Sequence, residues 1–209
     1  MSRVPVHAFA VTVTVLAALA PQHAAFAADP RNPDWPCNQI KVPELSAAAI
    51  WAGPPIDDVG NAWQNDPQIR DLVPRLAARR TPLDEAEKTI AEFLGADAAR
   101  RTERGKLLFA GLFASLNLER GTVMTGIDRF VQRQKDFAVS IRAKARQLRE
   151  LQDAPNHDQA KVDELVDSIN WDTRVFEEKR TTIRYVCDVP VTIERRLGAL
   201  SRAIQQALE

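Results

Sequence analysis

Two heptad series meet across the dipeptide Pro155-Asn156, and they restrict the folds open to this chain more than any other feature. Ile127, Gln134, Ile141 and Leu148 recur every seven residues, and Phe130, Phe137, Lys144 and Leu151 recur every seven from a start three later. Beyond the dipeptide, Val162, Ile169, Phe176 and Ile183 form one series and Leu165, Asp172, Lys179 and Val186 the other. A seven-residue apolar repeat keeps one seam of a supercoiled helix facing its neighbour. Folding back at Pro155-Asn156 pairs Leu151 with Val162, Leu148 with Leu165, Lys144 with Ile169 and Ile141 with Asp172. It then pairs Phe137 with Phe176, Gln134 with Lys179, Phe130 with Ile183 and Ile127 with Val186. The register closes without a slip, which predicts an antiparallel coiled-coil hairpin with arms about 45 Å long.

The polar seam members, Gln134, Lys144, Asp172 and Lys179, fall in its middle. Lys144 and Asp172 occupy adjacent layers and can pair. Such a layer is either a charged site in a helical groove or a device that fixes register, and register is the expected role.

No stretch alternates with period two, so the fold class is all-α. After Pro190 a further helix is expected, with Ile193, Leu197, Leu200, Ile204 and Leu208 on one face. The apolar run Leu107 to Leu118 is too short to span a membrane and contains Ser115 and Asn117, so it reads as a buried core helix and the natural partner of that face. A small helical bundle should therefore form at the base of the hairpin. Breaks are expected at Gly121-Thr122, Ala154-Pro155-Asn156 and Val189-Pro190.

Nine prolines lie between Pro30 and Pro82 and only two, Pro155 and Pro190, in the chain after them, which separates an irregular Pro/Trp-rich arm from the helical body. Asp66-Pro67 and Thr81-Pro82 each read as an N-cap followed by proline at the first helical position. The helices they open present Ile69, Leu72, Val73 and Leu76, kinked or split at Pro74, and Leu83, Ala86, Ile90, Phe93 and Leu94, ending at Gly95.

Arg3, the apolar run Ala8 to Ala20, Pro21 and Ala25-Phe26-Ala27 form the pattern of a cleavable secretory signal. The expected organisation is a signal at 1–27 and one helical domain at 28–209, comprising the arm at 28–66, short helices and the core helix at 67–120, the hairpin at 122–187 and the last helix at 190–208. Cys37 and Cys187, an even count in an exported chain, are expected to form a disulfide. Closing a loop of that length is worth roughly 4–5 kcal/mol through the unfolded state. With Cys187 just beyond the last seam residue, the arm should lie as a strap fastened at the hairpin base.

Acidic and basic residues balance at 28 each, so no net field attracts nucleic acid or an anionic membrane. His7 and His23 leave with the signal, and His157 falls in the hairpin turn, a poor place for a catalytic imidazole or a zinc site. No nucleophile elbow, phosphate-binding loop, dinucleotide fingerprint or haem attachment site occurs. Ser140 and Lys144, four apart, have the spacing of a Ser-Lys dyad without an oxyanion hole to serve it. These residues imply no enzyme and no cofactor or metal.

Trp35, Trp51 and Trp63 lie in the arm, while Trp171 sits off the seam beside Asp172. Trp171 is expected to receive the arm, or else to dock another element or a partner. Trp35, Trp51, Trp171, Asp172 and Lys144 are thus the candidate binding residues.

Trp35-Pro36-Cys37, Val42-Pro43-Glu44-Leu45-Ser46, Trp51-x-Gly53-Pro54 and Arg79-Arg80-Thr81-Pro82-Leu83 are followed by a late run from Trp171-Asp172-Thr173-Arg174 to Tyr185-Val186-Cys187-Asp188-Val189-Pro190. Together they resemble a group of exported bacterial proteins of uncharacterised function. The resemblance covers nearly the whole mature chain, implies a helical periplasmic protein and transfers no active-site residue. The expected function is non-catalytic interaction or assembly through the hairpin, with an unknown protein partner or a second copy. The alternative is binding of a small molecule or ion at a Trp-lined site between arm and helices.

Overall fold

The computed structural model describes residues 31–209; the expected signal at 1–27 lies outside the described residues. Four helices carry the fold: α1 (Pro67–Ala77), α2 (Leu83–Gly95), α3 (Arg101–Asp153) and α4 (Gln159–Leu208). Short 3-10 turns at Ala47–Ala49, Ala62–Asn65 and Ala98–Arg100 punctuate the rest, and the described residues contain no strand. None of these helices is long and apolar enough to cross a membrane.

The start of α1 follows its sequence. The Asp66 carboxylate accepts from the backbone N–H groups of Gln68 and Ile69 at 2.9 and 3.2 Å, and Pro67 opens the helix. Pro74 lies inside α1 without splitting it. Its ring faces outward while Ile69, Leu72, Val73 and Leu76 are buried. At α2 the expected Thr81 cap is not made. The Thr81 hydroxyl instead donates to the Arg75 carbonyl at 2.8 Å, and Pro82 precedes the first helical residue, Leu83. Ala86, Ile90 and Leu94 are buried as their spacing demands, while Leu83 stays exposed.

Two expected breaks are corrected. α3 runs through Gly121-Thr122 for 53 residues, and α4 runs through Pro190 for 50. The core helix and the first heptad arm are therefore one element, and the second arm and the last helix another. Proline inside a helix removes a hydrogen bond and costs roughly 3 kcal/mol. Burial of Cys187, Pro190, Ile193 and Leu197 along the same stretch offsets that cost. The turn at Pro155-Asn156 does separate the two helices, and the Asp158 carboxylate caps α4 by accepting from Ala160 N–H at 3.0 Å.

The main core lies where α1 and α2 pack against the base of α3 and α4. Ile69, Ile90, Leu108, Phe109, Leu112, Leu197, Leu200 and Ile204 meet there. Buried Arg196 donates from Nε and a terminal nitrogen to the Leu76 carbonyl at 2.8 and 2.5 Å, satisfying an acceptor at the end of α1. Burial lowers the Arg196 pKa from its ordinary value.

The arm is a strap along this body. Trp51 stacks on Phe109 with ring centroids 4.3 Å apart, and Ser201 Oγ donates to the Ile50 carbonyl at 2.9 Å. Arg120 joins the Pro43 carbonyl at 3.2 Å to Glu194 at 2.5 Å, holding the strap to both long helices. Lys106 pairs with Asp58 at 2.9 Å, and this hydrogen bond holds the Asp58 carboxyl below its usual range.

Candidate functional site

Beyond the core, α3 and α4 continue side by side to the turn, and their facing residues form the candidate site. Phe137 meets Phe176 with ring centroids 6.4 Å apart. Lys144 Nζ donates to Asp172 Oδ2 at 2.6 Å and to Ser168 Oγ at 2.8 Å. The Lys144 side chain is 32% exposed and that of Asp172 15%, so this polar layer is only partly dry. Lys179 Nζ stands 5.6 Å from the Phe137 ring centroid, a cation–π contact over the seam. The Gln134 amide oxygen is buried without a hydrogen-bond partner.

Burial is closed only at the two ends of this region. Ile127 and Ile183 are buried at the base and Val162 near the turn. Between them Phe130, Phe137, Ile141, Leu148, Leu151, Leu165, Ile169 and Phe176 remain half-buried. Two helices alone cover one seam and leave its flanks wet.

The cysteines are joined as expected: Cys37 and Cys187 form a disulfide with Cα atoms 5.4 Å apart and a sequence separation of 150. Around it one hydrogen bond orders the strap internally and three contacts tie it to the long helices. Trp35 Nε1 donates to the Gln39 carbonyl at 2.8 Å, Gln39 Nε2 to the Cys187 carbonyl at 2.6 Å, Lys41 pairs with Asp128 at 2.8 Å, and Lys135 pairs with Asp34. Trp35 is buried with Met124, Ile127, Ile183 and Cys187.

The candidate residues separate into three places. Trp35 belongs to the disulfide cluster, Trp51 to the main core, and Lys144 and Asp172 to the middle of the seam. Trp171 is 62% exposed, with Arg174 5.9 Å from its ring, so the expectation that the arm packs over it is corrected. The arm is anchored near the base by Cys187, Asp128 and Lys135 and ends its reach there. Ser168 completes the Lys144 layer and was missed, although it lies one turn before Asp172 on the same face. Ser140 is exposed, and Lys144 turns instead to Ser168 and Asp172. His157 is an exposed turn residue whose Nδ1 lies 3.2 Å from the Ala154 carbonyl. Among the described residues no group of His, Cys, Asp and Glu is placed to hold a metal ion.

Comparison of the chain with protein-family models, with characterised proteins and with solved structures finds no match.

Proposed function

We propose that α3 and α4 form an antiparallel coiled-coil hairpin that serves as a non-catalytic docking element of an exported, periplasmic protein. The half-burial of the whole apolar seam between Ile127 and Val162 carries this reading. A core formed by α1, α2 and the strap already stabilises the base, so the distal arms are not needed to close it. Helices of this kind present an elongated apolar stripe with polar rims, the surface that recognises another helix. The disulfide between Cys37 and Cys187 is compatible with that compartment. The competing Trp-lined site loses its support because Trp35, Trp51 and Trp171 lie in three separate regions.

Site-specific photocrosslinking in cells tests the proposal. A crosslinker at Arg133 or Gln147, both bordering the stripe, should give protein adducts, whereas one at Lys88 on the exposed face of α2 should not. Equal yields from both sets, or none from the hairpin, would remove the docking role.

A further inference from the structure

Two hollows open on one flank of the distal α3–α4 pair. The first, about 360 Å³, is lined by Phe130, Arg133, Gln134, Phe137 and Lys179. The second, about 620 Å³ and nearer the turn, includes Glu150, Leu151, Lys161, Glu164, Leu165 and Ser168. Arg133 borders the first and Gln147 the second; they are two heptads apart on α3, so the hollows share one stripe. The same stripe is covered at its other end. Glu119, two heptads before Arg133, pairs with Arg79 at 3.7 Å, and Arg196, two heptads after Thr182, reaches the Leu76 carbonyl. The end of α1 and its turn into α2 thus form a second layer over this flank, which stops short of the hollows.

We propose that the flank is completed by a second copy of this chain, its hairpin laid antiparallel to the first across a two-fold axis. The inference rests on the docking role proposed for the hairpin and names its occupant. Charge carries it furthest. The first hollow presents Arg133 and Lys179, and the second presents Glu150 and Glu164. A two-fold axis across the middle of the hairpin sets each copy's cationic hollow on the other's anionic one, so the attraction is made twice. Lys161, the one cation in the second hollow, then faces the other copy's Glu178 region.

Midway between the hollows on α4 stands Trp171, three residues after Ser168 and therefore on the same flank. At 62% exposure it is the large side chain nearest the axis, where it meets its own counterpart as a central aromatic anchor. Orientation follows from sterics. With the turns pointing the same way, the two α1 layers would collide and hold the flanks apart. With the turns opposed, each hairpin extends the second layer that the other copy's α1 begins. The open flank is about 40 Å long and about 20 Å wide, so it buries about 800 Å² per copy, which is the share of one partner in a standard interface.

Sedimentation of the mature chain with its disulfide intact tests the arrangement. The wild type is expected to be a dimer. Arg133→Glu/Lys179→Glu and Glu150→Lys/Glu164→Lys chains are each expected to be monomeric with unchanged helicity, because like charges then face each other in both contacts. Mixing the two variants should restore a dimer, since every contact between them is again of opposite sign. Trp171→Ala should weaken the wild-type dimer by at least about tenfold. A monomeric wild type overturns the proposal, as does a mixture that stays monomeric. If the wild type is monomeric while the hairpin crosslinks to a different protein, self-association falls and the docking role stands. If a charge variant loses helicity, the Trp171→Ala measurement decides instead, and an unchanged dimer overturns the proposal.

Discussion

Lys144 spans two acceptors on the opposite helix, and Asp172 is the drier member of the pair. Taking away the ammonium leaves the Asp172 carboxylate, 15% exposed, without a counter-charge. Lys144→Met is therefore expected to destabilise by about 1–2 kcal/mol, less than the roughly 3–5 kcal/mol of a fully buried pair because water still reaches both groups. Lys144→Met/Asp172→Leu removes both charges from an apolar seam and should return to within about 1 kcal/mol of the wild type. Urea unfolding of the two variants and the wild type checks this. If the double variant is less stable than the single one, the pair is not a costly polar layer held for register. The pairing was legible in the sequence because heptads place the two residues in adjacent layers. The Ser168 contact was not, because it comes from the flank, where periodicity alone gives no partner. Trp171 was misread for a different reason: an exposed tryptophan invites a cover, and the length of chain between Trp35 and Trp51 sets no direction for the strap.

Glycine and proline were read as punctuation at the element scale, and two of those readings were overridden by packing. α3 crosses Gly121 and Gly126, where an added Cβ meets nothing within 4 Å. Each glycine there costs backbone entropy without a packing return, so Gly121→Ala and Gly126→Ala should each stabilise by about 0.5–1 kcal/mol. Gly111 on the same helix is a close approach, with an added Cβ 2.7 Å from Val73 Cγ2 and 3.0 Å from Trp63. Gly111→Ala should destabilise, because α1 must shift away from α3. Thermal melts of the three variants test the contrast, and stabilisation at all three positions would show that local propensity alone governs this helix. Helix identity, the capping Asp66 and the turn at Pro155 were legible because each rests on neighbours in sequence. The continuity of α4 through Pro190 was not, since it depends on Ile193 and Leu197 being held by a core built from distant segments.

At the scale of the molecule the strap, the long helices α3 and α4 and the core converge on one covalent tie. Cys37 closes a loop of 150 residues onto Cys187, worth about 5 kcal/mol if the entropy of the unfolded chain is all that the bond removes. The strap's other ties are independent of it: Trp35 sits among Met124 and Ile183, Trp51 is stacked on Phe109, and Arg120 grips the Pro43 carbonyl. Cys37→Ala/Cys187→Ala is therefore expected to fold with unchanged helix content at room temperature. Its melting point should fall by about 10–20 °C, from the lost loop constraint and the size of the chain. The residual contacts should keep the strap docked until global unfolding, so Trp35 fluorescence and far-UV circular dichroism should change together. If Trp35 is released well before the helices melt, the disulfide is the main fastening of the strap in the native state and its non-covalent ties are secondary. If the double alanine chain melts with the wild type, the bond confers no stability, and its position beside Val186 has no mechanical consequence for α3 and α4.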